Sequence, residues 1–127
     1  MKEEVKYSVI KFRDALKKLE AGILQAVDEL DTDGVIQRFE FTFETMWKAL
    51  KIFLTHEGIA CDTPRNCLKE AFRLGLLEKE KIFLDMLEDR NKTSHIYNKE
   101  VAEEIVERVK IKYLPVMRKV LNKLWRR

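Results

Sequence analysis

Turn formers are scarce in this chain. Four glycines and two prolines in 127 residues are too few for a sandwich or barrel of short strands, which needs a turn about every 8–12 residues. No apolar run approaches the roughly 18 residues of a membrane-crossing helix, so no membrane role is expected. The start, Met1-Lys2-Glu3-Glu4, is charged and leads into an amphipathic stretch instead of an apolar export signal, so the expected location is cytoplasmic. In that compartment Cys61 and Cys67 read as two reduced thiols, the alternative being a disulfide, and Asn91-Lys92-Thr93 carries no meaning as a glycosylation sequon. There is no glycine-rich phosphate loop and no pair of carboxylates arranged for a polymerase metal site, so nucleotidyl transfer is not expected of this chain. His56, Cys61 and Cys67 are scattered donors without a fourth ligand or paired short spacing, and neither a metal nor a cofactor is expected.

Helical patterning is what the sequence does hold. Hydrophobic residues make up 46% and charged residues 37%, a globular composition, and the length suits one domain over residues 1–127. Val5, Val9, Phe12, Leu16, Leu19, Ile23, Ala26 and Leu30 recur at spacings of three and four, predicting a first helix over about 3–30. Asp31-Thr32-Asp33-Gly34 supplies turn formers and candidate N-caps. Val35, Phe39, Phe43, Met46, Leu50 and Phe53 then repeat the stripe in a second helix to about Gly58, and the two should pair as an αα-hairpin. Thr63-Pro64 and Gly75 are the start and stop signals of a third helix. A fourth, from about Lys79, places Ile82, Phe83, Met86 and Leu87 on one side and carries Arg90, Asn91 and His95 near its C-terminal end. Asn98 caps a fifth, with Ala102, Ile105, Val109, Tyr113, Val116, Val120 and Leu124 inward and a kink expected at Pro115. The expected fold is all-α: an antiparallel up-and-down bundle of about five helices with a four-helix core.

Charge is unevenly placed. The net charge is +3, but from Arg108 onward there are eight Lys or Arg and no acid, which leaves 17 basic and all 22 acidic residues in 1–107. Such a tail suits RNA phosphates or an acidic partner, and it equally suits a solvated helix end whose dipole favours cations. Arg38, Glu40, Glu44 and Lys48 form an i,i+4 ladder that reads as a solvated face or as a contact for a partner chain. Phe39, Phe41, Phe43 and Trp47, at helical spacing, read as core aromatics before base-stacking ones.

The segment Asp89-Arg90-Asn91-Lys92-Thr93-Ser94-His95-Ile96-Tyr97 concentrates the candidate chemistry. Arginine offers a planar fork to a phosphate, and a histidine titrating near neutrality moves a proton. Asn91, four residues before His95, shares its helix face and suits orienting the imidazole or a bound phosphate. Together these groups are a minimal set for RNA cleavage without a metal; a polar cluster at a helix end also serves as capping and surface solvation. Five residues correspond to about 140° around an ideal helix, so aiming Arg90 and His95 at one phosphate needs a distorted helix end or a site shared by two chains.

Arg90, four intervening residues, His95 and then Tyr97 resemble the Arg-x4-His-x-Tyr motif of HEPN-domain proteins. The run Val35-Ile36-Gln37-Arg38-Phe39-Glu40-Phe41-Thr42-Phe43-Glu44 with Trp47-Lys48, and the run Leu84-Asp85-Met86-Leu87-Glu88-Asp89-Arg90-Asn91, resemble the branch of nucleotidyltransferase substrate-binding proteins, over nearly the whole chain. The resemblance implies a metal-independent ribonuclease with Arg90, Asn91 and His95 in a composite site across a homodimer. It further implies a toxin–antitoxin pairing with a small minimal nucleotidyltransferase encoded nearby, a possible heterotetramer with that partner, and transfer of AMP to Tyr97. A non-catalytic subunit that holds substrate or nucleotide for the partner transferase is the competing expectation.

Overall fold

In the computed structural model the first two apolar stripes lie face to face. Residues 2–26, 28–93 and 98–127 are described, positions 29 and 30 by their backbone only. The helices are α1 Glu3–Gln25, α2 Glu29–His56, α3 Pro64–Arg73, α4 Glu80–Lys92, α5 Lys99–Arg108 and α6 Leu114–Arg126, and a π-helical turn, Val109–Tyr113, joins the last two. Because α5, that turn and α6 run on as one distorted rod, the bundle has five rods, and the described residues contain no strand. The fold is all-α, as the sequence predicts. α1 packs along α2, α6 lies on α1, and α3, α4 and α5 contact α2, which at 28 residues is about 42 Å long.

The first turn falls earlier than the sequence predicts. Asp28 Oδ1 accepts from the Asp31 backbone N–H at 3.0 Å, and Asp31 Oδ2 accepts from the Asp28 N–H at 3.3 Å. This reciprocal capping box starts α2 at Glu29, so Asp31-Thr32-Asp33-Gly34 is the beginning of a helix and not a loop, with its carboxylates toward the positive end of the dipole. The other boundary signals hold. Gly58 and Gly75 take positive φ, 79° and 86°, and the chain closes over each helix end through Ile59 N–H to Leu54 O and Leu76 N–H to Ala71 O, both 2.9 Å. Thr63 Oγ1 caps α3 by accepting from the Asn66 N–H at 3.1 Å, and Asn98 Oδ1 caps α5 through the Glu100 N–H at 2.7 Å.

One core joins all the helices, with Phe12, Phe39, Phe43, Met46, Leu50, Phe83, Met86, Ile105 and Leu124 buried. In α6 Met117 and Leu121 are buried while Val116 is only half-buried. Pro115 lacks an N–H and its ring excludes the carbonyl four residues back, so the helix widens into a π turn just before it, and the extra residue rotates the inward face.

Cys61 and Cys67 are not free thiols. They form a disulfide with Cα atoms 5.2 Å apart, because the chain turns at the Thr63 cap and brings the first turns of α3 back against Cys61. The redox poise of a compartment carries no information about this proximity, which the folded chain imposes. The basic tail is also largely engaged within the chain. Arg118 Nη2 lies 2.8 Å from Glu20 Oε1, Lys119 and Lys123 Nζ lie 3.6 and 3.2 Å from the Glu78 carboxylate, and Arg127 Nη2 donates to Leu74 O at 3.1 Å. The Lys123 hydrogen bond is the main reason the Glu78 pKa lies below the ordinary carboxylate value. Among the described residues no helix is long and apolar enough to cross a membrane.

Candidate functional site

Neighbouring residues on α4 send opposite messages at its C-terminal end. Asp89 faces inward and is 4% exposed. A carboxylate so placed needs strong donors, and it has them: Arg108 Nε at 2.8 Å, Arg108 Nη2 at 2.9 Å, and the Tyr113 hydroxyl. Tyr113 in turn stacks on Phe39, with ring centroids 5.7 Å apart. Burial first, and then the bond to Asp89, push the Tyr113 phenol above its ordinary pKa, while the Asp89 hydrogen bond pushes the Arg108 guanidinium upward. The network bolts the end of α4 to α5 and the π turn.

One residue further the helix has turned by about 100°, and Arg90 reaches toward α2. Its Nη2 forms an ion pair with Glu44 Oε1, its Nη1 donates to Asn91 Oδ1 at 3.1 Å, and the guanidinium lies 5.7 Å from the centroid of the Phe43 ring. Glu44 is held on its other side: Oε2 accepts from the Trp47 indole N–H at 3.1 Å, with Lys48 Nζ at 3.8 Å. The side chains of Arg90 and Glu44 are 30% and 28% exposed, while the Glu44 oxygen that faces Arg90 is itself shut off from solvent, so the pair is ordered by its surroundings and part of the arginine stays accessible.

Of the residues the sequence singled out, the structure brings Arg90 and Asn91 together. His95 and Tyr97 lie in the segment 94–97, outside the described residues. α4 runs to Lys92, where the Thr93 hydroxyl donates to Arg90 O at 2.7 Å and satisfies a last-turn carbonyl. The charge ladder on α2 is kept only in its Glu44–Lys48 rung: Arg38 Nη1 turns to Lys18 O at 3.0 Å, against Gly22, where a Cβ would meet it at 2.6 Å. Phe39 and Phe43 are core residues, but Phe41 is 58% exposed, contrary to the packing expectation. It falls on the opposite face of α2 from its two neighbours in the stripe. The donors His56, Cys61 and Cys67 are divided: both sulfurs are in the disulfide, and His56 Nε2 sits 3.1 Å from Glu4 Oε2. Among the described residues no group of three or more His, Cys, Asp or Glu is placed to hold a metal ion.

Sequence reasoning missed the supporting cast. Asp89 had a legible signal, an acid three residues after Met86 on the buried stripe, and Tyr113 was assigned to the core without its hydroxyl being matched to that acid. Glu44 and Trp47 join the site only through the crossing of α2 and α4, which spacing along one helix does not reveal.

The profile of the family described as nucleotidyltransferase substrate binding protein like matches residues 7–126. Probable ribonuclease HepT of Haemophilus influenzae is 32% identical over 81 residues, 60% of this chain and 56% of that protein. The chain thus spans little more than half the length of that relative. A crystal structure of a protein from Thermus thermophilus superposes with a TM-score of 0.83 at 35% identity, over 89% of this chain and 98% of that one. With its helical order, its Arg90-Asn91 helix end and a match along almost its full length, the chain belongs to the family of nucleotidyltransferase substrate-binding-like proteins and is a HEPN-domain protein.

Proposed function

We propose that this chain is the toxin-like subunit of a toxin–antitoxin pair, a cytoplasmic, metal-independent endoribonuclease formed by one HEPN domain over residues 1–127 and active as a homodimer. Arg90 binds and neutralises the scissile phosphate, Asn91 orients groups beside it, and His95 takes the proton of the attacking 2′-hydroxyl. The O2′–P bond then forms, the P–O5′ bond breaks, and the leaving 5′ oxygen takes a proton from water. The observation that carries the reading is the Arg90 guanidinium, fixed at the end of α4 by Glu44, Asn91 and the Phe43 face while still open to solvent. The likeness to a probable ribonuclease supports the reaction class, and the family description supports a nucleotidyltransferase partner encoded nearby. That partner transfers AMP to Tyr97, in a complex that includes the heterotetramer, and the added phosphate brings negative charge where the RNA backbone must sit.

Purified chain is expected to cut RNA with EDTA present, and Arg90→Ala or His95→Ala to abolish cutting; undiminished cleavage by both variants excludes the site. After co-expression with the transferase, an adenylyl mass mapping away from Tyr97 excludes that residue as the target. The family description also favours a second reading, a non-catalytic subunit that holds substrate or nucleotide for the transferase. Nucleotide binding by the two-chain complex, with no RNA cleavage by either chain, selects it.

A further inference from the structure

We infer that Glu44, backed by Trp47, is the positioning residue for Arg90 in RNA cleavage, an inference that rests on the ribonuclease reading. Three features distinguish this pair from an ordinary surface ion pair, in which two long side chains must be ordered for little net gain. Glu44 is itself anchored, its Oε2 accepting from the Trp47 indole N–H at 3.1 Å, so the acceptor is held from α2 independently of Arg90. The Phe43 ring, whose neighbour in sequence is Glu44, covers one face of the guanidinium with its centroid 5.7 Å away. Asn91 Oδ1 takes a second N–H at 3.1 Å. The chain of contacts from Trp47 through Glu44 to Arg90 spans two helices, so the direction of the guanidinium is set by the α2–α4 crossing and not by α4 alone. An arginine otherwise loses rotamer freedom when it grips a phosphate; here that ordering is complete on folding.

A carboxylate that merely competed with RNA for Arg90 would need no support of its own, and its removal would tighten substrate binding. The two roles separate in the kinetics. In a metal-free assay on an RNA oligonucleotide, Glu44→Gln is expected to lower kcat roughly 10- to 100-fold with KM within about twofold of wild type. Trp47→Phe, which keeps the Glu44 charge but removes its anchor, is expected to lower kcat by about threefold to tenfold, again at constant KM. Unchanged kcat in Glu44→Gln, or a several-fold fall in KM with kcat preserved, overturns the inference. A second readout does not require cleavage: the Arg90 Nη–H resonances in 15N NMR, assigned with Arg90→Lys, should exchange slowly with water in wild type and rapidly in Glu44→Gln. If wild type cuts no RNA, the ribonuclease reading fails; the exchange rates then decide the positioning claim alone, and equal rates in wild type and variant refute it.

Discussion

Tyr113→Phe removes one oxygen from the centre of the network that fixes the end of α4. The phenol is 1% exposed, and its hydroxyl donates to Asp89, a carboxylate that also takes two N–H bonds from Arg108. A hydrogen bond to a charged group contributes about 1.5–3 kcal/mol, and because Arg108 continues to neutralise Asp89, the loss should fall near 1.5–2 kcal/mol. Asp89→Ala is harsher. It strands the buried hydroxyl and leaves Arg108 without its acceptor; since the Arg108 side chain is 34% exposed and can rehydrate, the expected loss is about 3 kcal/mol, the low end for breaking a buried pair. In the double variant the two losses should fall short of additivity by about 1 kcal/mol or more. Urea unfolding followed by far-UV circular dichroism measures all four corners of the cycle, provided the m-values agree. Stability of Tyr113→Phe within about 0.5 kcal/mol of wild type, or strict additivity with Asp89→Ala, refutes the network as drawn.

The same phenol predicts an alkaline signature: its folded pKa is raised above the ordinary 10.0, so its contribution is present below that value and is lost as pH rises toward the folded one, and unfolding free energy should fall above about pH 10 more steeply in wild type than in Tyr113→Phe. Parallel pH curves for the two proteins contradict this. Reduction of Cys61–Cys67, which closes a loop of sequence separation 6, should lower stability by about 2 kcal/mol, read as a shift of the urea midpoint with and without reductant; an unchanged midpoint, with intact mass showing free thiols in both samples, refutes the pairing. Phe39→Ala, at a fully buried ring stacked on Tyr113, should cost about 3–5 kcal/mol, whereas Phe41→Ala should stay within about 0.5 kcal/mol; similar losses at both positions contradict the placement of Phe41 on the outer face.

Most of the scaffold was legible because it rests on local rules. The stripes from Val5 to Leu19 and from Val35 to Phe53 mark buried faces, Gly58 and Gly75 end helices through positive φ, and Pro115 announces a distortion. The Asp31 turn was misplaced because the same residue types serve turns and helix starts, and only the reciprocal bond to Asp28 decides between them. The disulfide depends on how segments fold back on one another, which periodicity does not encode, whereas the exposure of Phe41 follows from its place on the face of α2 opposite Phe39 and Phe43. At the site, Arg90 and Asn91 were legible as chemistry, but what holds them was not. Asp89 is satisfied from 19 and 24 residues away, and Glu44 meets Arg90 only where two helices cross.

Mixing tests the central claim most directly, that an arginine and a histidine from two copies of the chain meet at one phosphodiester. Arg90→Ala and His95→Ala chains, each inactive alone, are combined under conditions that exchange subunits and assayed on RNA without metal. A heterodimer of the two holds one complete pair, Arg90 from one copy and His95 from the other, so cleavage should return to a sizeable fraction of the wild-type rate. A mixture as inactive as its components, with subunit exchange shown by mass, contradicts the shared site.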